Sequence, residues 1–374
     1  MIKSNIKMNS GKLEEFIRIL VPEVEEETVN IVGSEDERNF MVKASNLKKT
    51  VEFSYEKIGR SFEEQLDVMA KIVLLKLYDK NYKWGSIIGV RPTKVVRRFL
   101  DSGFNLHYIE NLLREFYQVS EEKAELLIDV VKRELKYLDK ETVGIYIGIA
   151  YCPTKCTCCS FPSYLKEGKH LERFDEYFDS LIHEIKEVGN LVKNLNLRVN
   201  TIYIGGGTPS ILTKEEMDKM LETISKNYDI EDLKEFTYEL GRIDAIDEEK
   251  LEVLKKWKVD RISINPQTFN EKTLELVNRY YNKDRFDEIF QKAKEMGFII
   301  NMDLILGLPG ETTNDILYTL QKTREYDMQN LTIHNLAIKR SSQLNKENYT
   351  HVKNLNYKKI YSEIYNLTRS KELY

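Results

Sequence analysis

From residue 143 onward the sequence alternates short apolar runs with amphipathic stretches, and this alternation limits the fold more than any other feature. The runs are VGIYIGI (143–149), VNTIYI (199–204), EFTYEL (235–240), DRISI (260–264), FIINMDL (298–304) and NLTIHNL (330–336). Helical patterns separate them near 170–194, 214–227, 246–257, 283–296 and 312–326. Strands alternating with helices mean βα units and a parallel sheet. Six units predict an α/β fold, an open or partial (β/α)6 barrel over residues 139–340. In such barrels chemistry sits at the C-terminal ends of the strands.

Residues 1–138 have a different rhythm and predict an N-terminal α+β domain. NFMVKASN and KTVEFSYEK read as two strands joined near Leu47-Lys48-Lys49. After Arg60, Leu66, Met69, Ile72, Val73 and Leu77 recur at helical spacing. Trp84-Gly85-Ser86 and Arg91-Pro92-Thr93 mark a break, and Pro92 suits the first turn of a helix. Two more helices are expected near 105–117 and 120–136. Ser120 is the expected N-cap of the second, its hydroxyl accepting an orphan N–H. Glu121 and Glu122 suit the helix dipole, while Lys123 stands where a capping-box acid would. The Arg91-Pro92-Thr93-Lys94 turn reads first as a helix start with solvated cations and second as an anion site. No catalytic constellation occurs in this half. At the other end, residues 341–374 read as a helical segment with the stripe Tyr357, Ile360, Tyr361, Ile364 and Tyr365.

Composition removes several classes of function. Apolar residues make up 41% of the chain, enough for a sizeable core. Lys+Arg 57 against Asp+Glu 61 gives a net charge of -4, without the basic excess of a generic nucleic-acid binder. No apolar run approaches the roughly 18 residues of a membrane span. The start, MIKSNIKMNSGKLEEF, lacks the apolar stretch of a secretory signal. A cytoplasmic protein is the expectation.

All 4 cysteines lie between 152 and 159, directly after the first strand of the repeat. Disulfides between cysteines this close are geometrically difficult. Cys152, Cys156 and Cys159 have the spacing Cys-x3-Cys-x2-Cys, which lets each thiolate ligate one iron of a [4Fe–4S] cube and leaves the fourth iron open. Zinc is the alternative, with Cys158 as fourth ligand, although adjacent Cys158 and Cys159 suit one small ion poorly. The second strand ends in Gly205-Gly206-Gly207-Thr208-Pro209, whose glycines permit close backbone approach and exposed N–H groups. Glu239 and Asp303 stand near the ends of strands three and five, and Asn265-Pro266-Gln267 follows strand four. Singly each has an ordinary explanation, such as an ion pair with a nearby Arg. Their joint placement beside a cysteine loop points to a site. Arg242 and Arg340 are candidates for substrate carboxylates or ordinary surface residues. His107, His170, His183, His334 and His351 show no metal spacing and read first as packed or surface residues; His334, on strand six, faces either core or pocket.

The cysteine motif followed by GGGTP resembles the radical S-adenosylmethionine (SAM) superfamily. YIGIAYCPTKCTCCSF, YIGGGTPS, EFTYELGRID, ISINPQTFNEKTLELVNR and MDLILGLPGET resemble, more narrowly, the oxygen-independent coproporphyrinogen III oxidases. Trp84 to Lys94 resembles the WGSxxGxRPTK-like stretch of the coproporphyrinogen dehydrogenase subgroup, which carries an N-terminal extension. The resemblance implies a partial (β/α)6 radical SAM barrel, with Cys152, Cys156 and Cys159 as ligands of a [4Fe–4S] cluster. It implies SAM contacts at Tyr146, Gly206, Gly207, Thr208 and Glu239, and a second SAM site at Gln267, Arg279 and Asp303, with Ala337 a further contact. It implies oxidative decarboxylation of coproporphyrinogen III to protoporphyrinogen IX in haem biosynthesis, by hydrogen abstraction from propionate side chains. It also implies a low-potential electron donor such as flavodoxin or ferredoxin. Two positions depart from the pattern. Cys158 stands where an aromatic residue is usual, and is read as a non-ligand. Phe161 stands where the best-known oxidase branch has another Cys. The related haem-chaperone branch also lacks that Cys, so haem is the alternative partner to a porphyrinogen substrate. Members of the family usually continue for a further domain-sized stretch, and residues 341–374 are read as the start of one.

Overall fold

In the computed structural model, which describes residues 2–6, 10–59, 62–89, 91–139, 141–352 and 354–370, the chain separates into two units, Met1–Leu138 and Asp139–Tyr374. The first unit contains β1 (Ile2–Ser4), α1 (Ser10–Leu20), β2 (Val29–Glu35), β3 (Asn39–Ser45), β4 (Thr50–Glu56), α2 (Phe62–Leu77), α3 (Thr93–Asp101), α4 (Leu106–Glu115) and α5 (Glu121–Glu134). Its sheet runs β1-β2-β3-β4, parallel at β1–β2 and antiparallel elsewhere. Val29, Ile31, Val42 and Ala44 alternate along their strands and share a buried core with Leu66, Met69 and Val73 of α2. Both expected strands and all the expected helices of this unit form. β1, β2 and α1 have no counterpart in the pattern read from the sequence: β1 is three residues long, and β2 mixes its apolar residues with Asn30, Gly33 and Ser34.

Ser120 occupies the N-cap of α5 as expected, but its hydroxyl is buried and makes no hydrogen bond. The residue is held instead through its backbone, whose N–H donates to the Lys83 carbonyl. Ser86 donates from both its N–H (3.0 Å) and its hydroxyl (3.2 Å) to the Tyr117 carbonyl. The Trp84-Gly85-Ser86 stretch is thus a packing joint against the turn between α4 and α5.

The second unit contains β5 (Thr142–Ile149), β6 (Tyr151–Cys152), β7 (Tyr164–Leu165), α6 (Gly168–Glu172), α7 (Phe174–Asn194), β8 (Arg198–Gly206), α8 (Lys214–Asn227), β9 (Glu235–Gly241), α9 (Glu248–Lys256), β10 (Arg261–Ile264), α10 (Glu271–Leu276), α11 (Lys283–Glu295), β11 (Ile299–Leu306), α12 (Thr313–Thr323), β12 (Asn330–Asn335), α13 (Gln343–Lys346) and α14 (Tyr357–Ser370). Six strands pair in chain order, β5-β8-β9-β10-β11-β12, every pair parallel. The sheet curls into a half-barrel, the fold expected from six βα units. Helices start where the sequence stops them sliding: Thr213 and Thr312 form capping boxes with Glu216 and Asp315.

The two faces of this sheet differ. Ile202, Ile204, Ile262, Ile264, Met302 and Leu304 point outward into the helix layer and are fully buried. The register places Tyr146 beside Tyr203, Tyr203 beside Thr237, Glu239 beside Ser263, and Asp303 beside Thr332, all on the other face. Side chains alternate at a period of two, so the concave face is lined by hydroxyls, carboxylates and amides. α14 packs Ile360 and Leu367 against Leu304, Leu306, Ile316 and Leu320. Of the stripe read from the sequence, Tyr357, Tyr361 and Tyr365 are exposed; the buried face runs through 360, 364 and 367, one position further round the helix. Among the described residues no helix is long and apolar enough to cross a membrane.

Candidate functional site

The cysteine loop leaves the C-terminal end of β5, where barrel chemistry is expected. The two-residue ladder of β6 and β7 closes it. The Cys159 N–H donates to the Cys156 carbonyl at 3.1 Å, a tight turn that brings two of the thiols round together. Three thiols each have their own donor. Cys152 Sγ accepts from the Thr208 hydroxyl (3.5 Å), Cys156 Sγ from Arg242 Nη1 (3.4 Å) and Cys159 Sγ from the Phe161 N–H (3.4 Å). Each of these donors fixes one sulfur in position at the end of the strand. Cys158 differs: it packs against the apolar cluster of Val277, Leu308, Leu336 and Leu344. Burial pushes its thiol up to about 12. Burial also raises Cys159, opposed there by the Phe161 N–H and the charge of Lys155.

Two guanidinium groups flank Cys156. Arg242, only 3% exposed, makes a two-pronged ion pair with Asp244 (2.9 and 2.8 Å). Burial works against its charge, but Asp244 and the sulfurs of Cys156 and Cys152 outweigh that and hold it protonated. Arg242 is therefore committed to the cysteine loop and is not free for a substrate carboxylate. Arg279 donates to the carbonyls of Gly241 (3.0 Å) and Asn265 (2.5 Å), tying the ends of β9 and β10 together beside Cys156.

The glycine segment lies directly against the first cysteine. Gly206 has φ +109, and a Cβ on Gly207 would stand 2.5 Å from the Tyr151 carbonyl and 3.0 Å from Cys152 Sγ. The N–H groups of Gly207 and Thr208 donate to Ile149 and Tyr151 (2.7 and 2.8 Å). These N–H groups lace the segment to the cysteine loop and are not left exposed, which corrects the reading from sequence. The close approach is to the cysteine loop, where the sequence reading had a ligand.

The concave face supplies the acids. Burial raises the Glu239 carboxyl; a hydrogen bond from the Tyr203 phenol opposes this, Asp303 adds to it, and the Gly206 N–H opposes it. Tyr146, 59% exposed, stacks on Tyr203 with centroids 5.8 Å apart. Asp303 accepts from Asn265 Nδ2 (2.9 Å) and Asn301 Nδ2 (2.8 Å). Gln267 adopts φ 66; its N–H donates to the Asp303 carbonyl, and its Oε1 is buried without a hydrogen-bond partner.

A cavity of about 770 Å³ collects these groups at the C-terminal end of the half-barrel. Cys152, Cys156 and Cys159 line it together with Gly207 and Thr208. So do Glu239, Gln267, Arg279, Asp303 and Ala337. Tyr146 and Gly206 lie outside the lining; Tyr146 reaches the site only through Tyr203, and Gly206 through its N–H beside Glu239. Asn265, Phe161 and His334 also line the cavity. The sequence places His334 on strand six facing core or pocket and reads it first as packed or surface; its register with Ile305, two residues beyond Thr332, puts it on the concave face, where it is exposed. Glu311, 2% exposed, is a second residue without a sequence signal of its own. It accepts from the N–H groups of Gly307 (3.0 Å) and Leu308 (2.9 Å) and from Thr268 Oγ1 (2.9 Å), fixing the loop that presents Leu308 to the cavity.

This donor set fits an iron–sulfur cube better than a single ion. Among the described residues no three His, Cys, Asp or Glu side chains converge on one metal position. Three separately positioned thiols opening on a shared cavity suit a larger guest with one thiolate per iron. The orphaned Gln267 Oε1 and the space kept by Gly207 leave room and an unused acceptor for a second molecule.

Residues 146–323 match the family model described as the radical SAM superfamily. The chain is 39% identical over 276 residues to the oxygen-independent coproporphyrinogen-III oxidase-like protein HemZ of Bacillus subtilis, covering 71% of this chain and 55% of that one. It is 31% identical over 196 residues to the heme chaperone HemW of Buchnera aphidicola, covering 52% of this chain and 51% of that one. Among solved structures, the coproporphyrinogen III oxidase HemN of Escherichia coli shares the fold at TM-score 0.55 and 22% identity, over 65% of this chain and 56% of that one. The chain spans about half the length of the curated relatives it matches. With the cysteine loop, the half-barrel and these likenesses in agreement, the chain belongs to the radical SAM superfamily, whose members work with a [4Fe–4S] cluster and SAM, in the branch that holds the coproporphyrinogen oxidase-like proteins.

Proposed function

We propose that this chain carries out oxygen-independent oxidative decarboxylation of coproporphyrinogen III. The observation that supports it most is the meeting of three donor-bonded thiols with Glu239, Asp303 and the unpartnered Gln267 Oε1 around one cavity. Cys152, Cys156 and Cys159 hold the cluster. Cys158 stays in its apolar packing and does not ligate. When bound, the cluster and SAM supply the one-electron chemistry that the side chains cannot perform.

The residues of the chain bind and orient. Arg242 and Arg279 place positive charge beside Cys156, which offsets the charge gathered by thiolate ligands. Glu239 is held in place by Tyr203 and accepts the ammonium of a SAM methionine moiety; an arriving cation favours its ionised form against the cost of burial. Asp303, fixed by two amides, and Gln267 accept hydrogen bonds from the second polar ligand in the cavity. Anaerobic reconstitution, followed by incubation with coproporphyrinogen, SAM and a reductant, tests the reading. Protoporphyrinogen and CO2 are the expected products. No decarboxylation, with 5′-deoxyadenosine still released, overturns the substrate assignment.

One observation favours a second reading on the same scaffold. Phe161 lines the cavity at the position where the best-known oxidase branch has a further Cys, and an apolar ring there suits the face of a haem. A chain of this kind binds haem stoichiometrically and releases no CO2. The same anaerobic assay, run with haem as competitor, separates the two.

A further inference from the structure

The three thiols that line the cavity have unlike donors. Cys152 accepts from the Thr208 hydroxyl and Cys159 from the Phe161 N–H, both neutral groups. Cys156 accepts from a cation, the guanidinium of Arg242, through Nη1 at 3.4 Å. The difference begins in the backbone at the end of β9. Gly241 has φ +71, a conformation that glycine adopts without strain, and the Arg242 N–H donates back to the Leu240 carbonyl at 2.8 Å. From this tight reversal the Arg242 side chain reaches a sulfur 86 residues away in the chain.

Asp244, two residues further on, takes Nε and Nη2 of the same guanidinium at 2.9 and 2.8 Å, which leaves Nη1 for the sulfur. A planar fork held on one side by a carboxylate has its remaining direction fixed. The pair is also withdrawn from water. Its side chains are 4% and 18% exposed, whereas those of Lys214 and Glu249 in the helix layer are 46% and 68% exposed. Salt screens a pair of this kind little, and each of its charges acts strongly on its neighbours. The potential of an iron–sulfur cluster depends on net charge, on hydrogen bonds to its sulfurs and on solvent exposure. Arg242 supplies charge and a hydrogen bond at Cys156; Asp244 aims the hydrogen bond and offsets the charge.

We propose that Arg242 and Asp244 are positioning residues that set the reduction potential of the cluster through Cys156, Arg242 raising it and Asp244 lowering it. The inference rests on the cluster reading above. Reduction adds one electron to the cluster, supplied from outside by a low-potential reductant; no bond is made or broken and no proton moves. A lone guanidinium at this sulfur would hold the added electron too tightly for it to be passed on, and the paired acid counters that.

The test uses the whole chain, reconstituted without oxygen and kept free of SAM and substrate. Midpoint potentials of the parent, Arg242→Gln, Arg242→Lys and Asp244→Asn are read by electron paramagnetic resonance during a dithionite titration with mediators. Iron and sulfide are counted for each protein. Arg242→Gln is expected to lower the potential by about 59 mV or more, a tenfold change in the one-electron reduction equilibrium. Arg242→Lys, which keeps the charge and loses the fork, is expected between it and the parent. Asp244→Asn is expected to raise the potential. Opposite signs mark an effect of charge, because a loosened loop would move both variants the same way. Four equal potentials, or shifts of Arg242→Gln and Asp244→Asn in one direction, overturn the proposal. If Arg242→Gln retains no iron, Asp244→Asn decides alone, a raised potential supporting the proposal and any other result overturning it. Loss of iron from both assigns the pair to assembly of the site and overturns it as well. A parent protein without a reducible cluster overturns the cluster reading instead.

Discussion

The two faces of the half-barrel are built from the same strands and do opposite work. On the convex face Ile202, Ile204, Ile262 and Ile264 are sealed under helices. On the concave face the alternate residues of those strands and their neighbours are Tyr203, Glu239, Ser263 and Asp303. Each buried aliphatic side chain contributes about 1.5–3 kcal/mol by leaving water. The concave groups repay burial poorly: Glu239 is raised by desolvation, and Ser263 Oγ and Gln267 Oε1 lack partners. Stability is concentrated on one side of the sheet, and the capacity to bind on the other.

The sharpest way to break this comparison is to remove a cysteine. Cys156→Ala, which deletes the thiol held by Arg242, is expected to abolish reductive SAM cleavage while the folded core remains. Release of 5′-deoxyadenosine and a thermal melt of the same sample check both halves, and parent-level cleavage would show the ligand set to be misassigned. Next comes a matched pair on the two faces. Ile262→Ala is expected to cost about 2–5 kcal/mol in urea unfolding, with SAM affinity little changed. Asp303→Asn is expected to alter stability by less than about 1 kcal/mol and to weaken ligand binding at least tenfold by calorimetry. If both variants lose stability equally, the division of labour between the faces fails.

A smaller effect is expected from Glu311. Burial raises its carboxyl to about 7, against the hydrogen bonds from Thr268, Leu308 and Gly307. The folded state therefore binds a proton more tightly than the unfolded chain, for which 4.5 is the ordinary value. The contribution of this group to stability is full below about 4.5 and is lost as pH rises through about 7. Glu311→Gln should flatten that part of the stability–pH curve, measured by denaturation at a series of pH values. The smallest effect belongs to Cys158→Ala: bound iron and sulfide should not change, and the lost packing should cost about 1 kcal/mol. Loss of a quarter or more of the iron would bring Cys158 into the ligand set.

The repeat of the second unit was legible because period and length agree. The run at 199–204 becomes β8, and the pattern at 214–227 becomes α8 with the same limits. The cysteine spacing and the glycine stretch were legible because each places unusual residues at a strand end. What the sequence conceals depends on tertiary partners. Nothing local distinguishes Arg242, gripped by Asp244 and aimed at Cys156, from a surface arginine. His334 is classified by its register, which only the sheet defines. Ser120 has the right residue at the right position, yet its carbonyl-bound N–H, rather than its hydroxyl, makes the cap contact. The exposed tyrosines of α14 show the limit of apolar periodicity: a ring counted as apolar also tolerates water, and Tyr361 Oη accepts from Asn335 Nδ2 at 2.8 Å.

The central claim is that Cys152, Cys156 and Cys159 hold a cube with one iron open to SAM. Low-temperature electron paramagnetic resonance of the reconstituted, reduced protein, with and without SAM, tests it most directly. A [4Fe–4S] signal that shifts when SAM is added is the expected result. A spectrum indifferent to SAM, or protein that binds zinc and no iron, would contradict it.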